Sequence, residues 1–257
     1  PMLDMMARGW LEEFRPPAVK QAPENVWEIS PSAYDKTGYI TVIQGDIQNH
    51  IILNTNLVKP EDYPKSFGDL LDPRCKGRMV MFTPTTGGGG SFLFTRLAED
   101  KRYGLEYWRK MAQQDISFQA SYDGVDRMVA LGERAVGLAT NLAATQAYLE
   151  AKAPVQLWYP PQDGRVMTLT TMAIVKNAPH PNAAKLLVNF MLAKEGQDLL
   201  QIIGYMPIRK DAKFEAHPQI RALRDVPLSL VFGRELSEKS NVYLQEKAAA
   251  NIFGLGR

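Results

Sequence analysis

The sequence predicts an α/β protein built as two lobes, and three observations carry that expectation. Between Arg78 and Tyr159, short β-rich runs alternate with helix-length segments, the order that strands with crossover helices require. A chain of 257 residues, 45% hydrophobic and 23% charged, has enough apolar material for more than one core. After the Pro160-Pro161 break, a long β-rich run from Val166 to Val175 leads into a largely helical remainder, so the chain leaves one lobe and comes back.

The elements follow in order. Met2, Leu3, Met6, Trp10, Leu11 and Phe14 recur at helical spacing, predicting a helix that Pro16-Pro17 stops. Tyr39–Ile43 and His50–Asn54 have the β-branched composition of strands, with a turn between them at Gly45-Asp46. Leu57–Asp72, punctuated by Pro60 and Pro64 and carrying a cap-like Ser66, is expected to cross between lobes. Strands are expected at Met79–Phe82, Ile116–Phe118, Ala135–Ala139 and Val155–Trp158, mainly parallel. Helices are expected at Ser91–Met111, Asp123–Leu131 and Asn141–Lys152, and throughout the chain beyond Asn182.

Several function classes are excluded. Thirty basic against twenty-eight acidic residues form no concentrated basic stripe, so nucleic acid is not an expected partner. Cys75 is the sole cysteine, and His50, His180 and His217 have no ligand spacing, so neither a disulfide nor a cysteine zinc site is expected. No apolar run is long enough to span a bilayer. No nucleophile, base and orienting acid form a recognisable set, which argues against an enzyme and against a cofactor. The basic neighbours Arg74 and Lys76 could depress the Cys75 pKa, but nothing nearby completes a thiol site, so an inert thiol is expected. His50 is expected to be packed or hydrogen-bonded, and Trp158 and Tyr159 to line a cleft or the core edge.

Four segments are candidates for binding. Thr83-Pro84-Thr85-Thr86-Gly87-Gly88-Gly89-Gly90-Ser91 joins a strand to a helix, where backbone N–H groups and the positive helix end can face an anion. It lacks the Gly-Lys-Ser/Thr ending of a nucleotide loop, and a plain surface turn is the alternative. Ser121-Tyr122-Asp123 opens another helix, with capping as its default role. Thr140-Asn141 stands at a strand's carboxyl end, where open α/β sheets bind ligands. Arg165, in a turn beside the returning strand, could pair with a carboxylate or phosphate or be merely solvated.

The succession of Asn54-Thr55-Asn56-Leu57-Val58, Pro64–Pro73, Lys76–Val80, Thr83–Gly88, Leu131–Val136, Ala173–Pro181 and Gly204–Arg209 resembles one family across the whole chain. It is similar to the periplasmic solute-binding proteins of ABC transporters, in the ferric-iron-binding-like branch with the type II two-lobed fold. The resemblance implies an N-terminally incomplete first lobe, made of residues 1–53 and 166–230. It implies a second lobe of residues 54–165 and 231–257, and hinge strands near 50–54 and 166–171. It also implies a location outside the cytoplasm, a membrane permease as partner and a monomer. Ligand contacts carried over by resemblance and by the loop chemistry fall on Thr85, Thr86, Gly87, Gly88, Ser121, Tyr122, Thr140, Asn141 and Arg165.

Two tyrosines that ligate iron in ferric members would follow Asn141, but Leu142-Ala143 stand there and supply no anionic oxygen. The expected ligand is therefore a small solute with a phosphate, phosphonate or carboxylate head, held without a metal. Ferric iron with a synergistic anion, a polyamine and thiamine are alternatives on the same fold. A sensory ligand-binding module and an enzyme are alternatives of other classes.

Overall fold

The structure is a computed structural model that describes residues 2–47, 50–223, 226, 228–232 and 242–255. The elements begin with α1 (Met2–Ala7), β1 (Leu11–Glu12), α2 (Pro17–Gln21), β2 (Thr41–Ile47), β3 (Ile51–Asn54) and β4 (Met79–Phe82). They continue with α3 (Gly89–Glu99), α4 (Gly104–Met111), β5 (Ser117–Gln119), α5 (Tyr122–Ala130), β6 (Val136–Leu138) and α6 (Leu142–Glu150). Next come β7 (Val155–Trp158), β8 (Arg165–Met172), β9 (Ile174–Val175), α7 (Pro181–Leu192) and α8 (Lys194–Leu200). The last are α9 (Pro218–Ala222), β10 (Leu228–Phe232) and α10 (Val242–Phe253).

The chain divides into two compact units. The first comprises Pro1–Asp46, Met167–Ala216 and Val231–Arg234, and the second Ile47–Val166, His217–Leu230 and Glu235–Arg257. The sequence-derived boundaries shift accordingly, because residues 47–53 and 217–230 group with the second unit while Val231 and Phe232 group with the first. The part of the expected second lobe at 233–241 lies outside the described residues.

The second unit is built on a five-stranded sheet in the order β5-β4-β6-β3-β7. β4 pairs parallel with β5 and β6, whereas β3 pairs antiparallel with β6 and β7. The sheet is thus mixed, not mainly parallel. Every residue of β3, β4 and β6 is buried, and strands covered on both faces have to be the unbroken apolar runs that Ile51-Ile52-Leu53 and Met79–Phe82 supply. α3, α4 and α10 pack through aromatic side chains: Phe94 stacks on Trp108 at 5.0 Å, and Phe253 meets Trp108 edge-on at 5.9 Å. Ser66 forms a capping box with Asp69. Buried Asp163 accepts bonds from the Phe67 amide (2.7 Å) and the Tyr103 hydroxyl (2.8 Å), fastening the loop before β8.

In the first unit, β1 and β9 form a two-stranded antiparallel sheet in which Leu11 faces Val175. Val42, Ile174, Val188, Leu192 and Ile208 make its core. Buried Gln197 is fully engaged, donating to the Ile43 and Met191 carbonyls and accepting from the Ile208 amide. A three-stranded sheet has the order β10-β8-β2.

Several local expectations are corrected. The helix from Met2 stops at Ala7 and not at Phe14, because Gly9 takes φ +69° and Leu11 is drawn into the strand pair with β9. Gly45-Asp46 lies inside β2 and is no hairpin turn; β2 and β3 belong to different sheets. β3, where a hinge strand is expected, sits between β6 and β7 in the five-stranded sheet, and the chain passes from the first unit to the second at Asp46–Ile47. Leu57–Asp72 stays within the second unit and does not cross. The helical stretch expected at Ser91–Met111 is two helices, divided at Asp100–Tyr103, and β10 interrupts the helical C-terminal region.

Candidate functional site

The site grows from three adjacent parallel strands, β5, β4 and β6. Each is followed at its carboxyl end by a helix: β4 by α3, β5 by α5 and β6 by α6. Three helix N-termini therefore open from one edge of one sheet, bringing partial positive charge and N–H groups together. The glycine loop allows α3 to start close to its neighbours. A Cβ on Gly89 would stand 2.5 Å from the Ala139 carbonyl oxygen, and one on Gly90 2.3 Å from the carbonyl oxygens of Phe82 and Thr83. Gly88 takes φ +122°, which L side chains rarely adopt. Gly87 alone faces open space.

Side chains then tie the loops together. The Gly89 amide donates to the Tyr122 hydroxyl at 2.7 Å, and the Tyr122 ring stacks on Phe82 at 4.5 Å. Ser121 accepts from the Gly124 amide and Asn141 from the Ala144 amide, capping α5 and α6, whereas no side chain caps α3. Ala139 is fully buried at φ +61°, an uncommon conformation for alanine held in place by its surroundings. Next to it lies Thr140, fully buried, its hydroxyl without a hydrogen-bond partner among the described residues.

Asp126, in α5, is fully buried, and desolvation pushes its carboxyl up to about 7 although the Thr140 and Thr145 hydroxyls favour the ionised form. Thr145 donates to Asp126 Oδ2 at 2.7 Å, and His50 Nε2 lies 2.9 Å from the same hydroxyl. The same hydroxyl lies 3.1 Å from the Asn141 carbonyl, so its one hydrogen has two acceptors within reach. A buried chain of polar groups thus runs beneath the first turn of α6.

A family model for bacterial extracellular solute-binding proteins matches residues 2–226. The chain belongs to that family. The putative 2-aminoethylphosphonate-binding periplasmic protein of Salmonella typhimurium is 27% identical over 175 residues, covering 64% of this chain and 51% of that protein. The chain spans about half the length of the curated relatives it matches. Iron-bound HitA from Pseudomonas aeruginosa superposes with a TM-score of 0.74 at 20% identity, over 98% of this chain and 79% of that one. The periplasmic binding protein AfuA from Actinobacillus pleuropneumoniae, with exogenous fructose-6-phosphate bound, gives 0.66 at 23%, over 98% and 76%. At these identities the likeness establishes the mixed α/β, type II periplasmic-binding-protein fold.

In this solute-binding protein the expected residues do not all come together. Gly88 and Tyr122 meet around Gly89, and Thr140 adjoins Ala139. Thr85 and Thr86 lie on the same loop, where the Thr85 hydroxyl is 3.0 Å from that of Thr83. Ser121 and Asn141 are occupied as caps. Arg165 is no solvated arginine: it is buried at the start of β8, outside the five-stranded sheet. Cys75 has its thiol pushed up, first by burial and then by Asp72, so its basic neighbours do not activate it. His50 is buried and bonded as expected, and Trp158 donates to the Pro64 carbonyl at the core edge. Asp126 and Ala139 went unrecognised in the sequence, since one carboxylate near a helix start looks like a cap and an alanine gives no sign of positive φ.

A groove of about 900 Å³ lies at the opposite end of the same sheet, lined by Leu57, Tyr63, Arg74, Arg78 and Ala135 among others. Two of its arginines are engaged locally: Arg74 pairs with Asp62 and Asp72, and Arg78 donates to the Leu57 carbonyl. We place the site at the glycine loop because α/β sheets present ligands at the carboxyl ends of their strands.

Proposed function

We propose that this protein acts as the solute-binding component of an ABC importer outside the cytoplasm, capturing a small solute by its phosphate, phosphonate or carboxylate head. The observation that carries this reading is the convergence of the α3, α5 and α6 N-termini around glycines that their neighbours require. The head group would meet the loop at Thr85, Thr86, Gly87 and Gly88, with Tyr122 and Thr140 beside it and the capped starts of α5 and α6 behind. Ser121 and Asn141 act through those caps, and Arg165, buried at the start of β8, would be a further contact to the anion. A permease in the membrane would receive the solute.

Two relatives support an organic anion: the Salmonella protein is named for 2-aminoethylphosphonate, and AfuA is described with exogenous fructose-6-phosphate bound. HitA is described as iron-bound, but α6 here begins with a fully buried Leu142 followed by Ala143, and a hard cation needs anionic oxygen at its ligand positions.

Stability is measured against urea with 2-aminoethylphosphonate, fructose-6-phosphate, inorganic phosphate and ferric citrate. A specific ligand at about 100 times its Kd adds about 2.7 kcal/mol. The expected result is stabilisation by a phosphorus-bearing anion, with at least about tenfold weaker binding in Gly87→Asp, which adds negative charge where a side chain meets nothing. Unchanged affinity in Gly87→Asp would move the site elsewhere, and stabilisation by iron alone would overturn the substrate class.

A further inference from the structure

Of the three helix starts at the site, α3 is completed differently from the other two. Ser121 and Asn141 each take the third amide of the helix they open, from Gly124 and Ala144, which is as far as a capping side chain reaches. α3 has Gly88 at its N-cap, and no side chain caps it from there. Its first amide, Gly89, donates instead to the Tyr122 hydroxyl at 2.7 Å, an oxygen brought in by the first residue of α5. A first-turn amide at the positive end of an eleven-residue helix is a place where anions bind. Beside it, fully buried Thr140 follows Ala139, whose carbonyl oxygen crowds Gly89, and the Thr140 hydroxyl has no hydrogen-bond partner among the described residues.

The phenol is held there from two sides. Its ring stacks on Phe82 at 4.5 Å with 21° between the planes, and Phe82 is buried at the end of β4. On the other side its oxygen lies 2.9 Å from where a Cβ on Gly88 would stand, and its ring edge 3.0 Å from one on Gly89. The glycines thus let the tyrosine as well as the neighbouring backbone come close. An anion oxygen has no room in the same place, because oxygens approach no closer than about 2.5 Å even when hydrogen-bonded.

We propose that the Tyr122 hydroxyl is a built-in stand-in for one oxygen of the ligand's head group: it occupies the Gly89 amide and withholds that donor from the bound anion. The inference rests on the anion-site reading above. A neutral phenol oxygen accepts a hydrogen bond of ordinary strength, whereas an anionic oxygen at the same amide makes one about twice as strong. The stacked ring prevents that exchange, so affinity is set below what α3 could supply, and the head group is kept to Thr86, Gly87 and Gly88. Removing the hydroxyl alone, with the ring left in its stack, opens space for one oxygen next to a donor that has lost its acceptor. A water that enters this space leaves again at small cost when a ligand oxygen arrives.

The test titrates 2-aminoethylphosphonate and inorganic phosphate into wild type and Tyr122→Phe, with Gly87→Asp as the control for the site. Each anion that wild type binds is expected to bind Tyr122→Phe about fivefold more tightly, although the ligand-free variant unfolds at lower urea. A merely structural tie would lower stability and leave the Kd within about twofold, and a hydroxyl that donates to the head group would give weaker binding. Either result, with Gly87→Asp still weakening binding, overturns this inference alone. Absence of binding of both anions by wild type, or indifference to Gly87→Asp, overturns the site reading and this inference together. Glycine-selective ¹⁵N labelling gives a readout free of the variant. With 2-aminoethylphosphonate or phosphate at saturation, the Gly88 amide of wild type is expected to shift downfield while that of Gly89 keeps its place. A Gly89 resonance that shifts as far as that of Gly88 puts the ligand on its amide and overturns the proposal even where Tyr122→Phe fails to fold.

Discussion

Gly90 sits where a methyl group has no room, because two carbonyl oxygens, of Phe82 and Thr83, occupy the space a Cβ would enter. Backbone cannot swing aside as a side chain can, so Gly90→Ala is expected to lower stability by about 1–3 kcal/mol, read as a shift of the urea midpoint. Gly87→Asp, three residues earlier, should leave that midpoint in place, which separates the steric glycine from the one open to the anion. Asp126 makes its own signature in stability. Its proton leaves at about 7 in the folded protein against an ordinary 3.8, so between those values the folded form binds the extra proton. Its contribution is full below 3.8 and is lost as pH rises through about 7, at a slope of up to about 1.4 kcal/mol per unit. Asp126→Asn is expected to flatten the stability profile over that window, measured by urea unfolding at each pH. None of this was visible in the residue string, because a carboxylate's depth is a property of what packs over it. The glycine run, by contrast, was visible as an anomaly, since four glycines between a strand and a helix have little use except close approach.

Helix starts are the working parts of the site, and two of the three are capped by their own N-cap side chains. Asn141→Ala removes the acceptor for the Ala144 amide and is expected to destabilise by about 1 kcal/mol, while weakening anion binding only through fraying of the first turn of α6. α3 has no such cap; its first amide is given to Tyr122 from a neighbouring helix. Elements of this kind were largely legible. The alternation from Met79 to Glu150, with its strands, helices and caps, is written in local composition, and Ser66, Ser121 and Asn141 stand where capping residues belong. What could not be seen was partnership. β1 exists because β9 pairs with it from far along the chain, and helical spacing in Met2–Phe14 held no hint of that competition. β2 and β3 were misjudged as a hairpin for the same reason: sequence proximity argued for pairing, while each strand found other neighbours. The antiparallel insertion of β3 into the sheet is likewise a long-range choice.

For the whole molecule, the two-part organisation was legible in chain length and in the Pro160-Pro161 break, whereas the points of division were not, since they depend on which residues touch. The first unit is assembled from separated stretches of chain, and the second interrupts it. Its core brings Val42 together with Ile174, Val188, Leu192 and Ile208, residues that follow more than a hundred positions later. In a polymer, such contacts form only after a long loop has closed, so their entropy has to be spent before any packing is gained. The contacts of β4, β6 and α5 span far shorter stretches. Pulse-labelled hydrogen exchange during refolding should therefore find the amides of β4, β6 and α5 protected before those of β2 and α7. During synthesis Val42 would accordingly wait for Ile174, Val188, Leu192 and Ile208 to be made before its core could close, while the strands and helices around the glycine loop, from Met79 to Glu150, would already have one another.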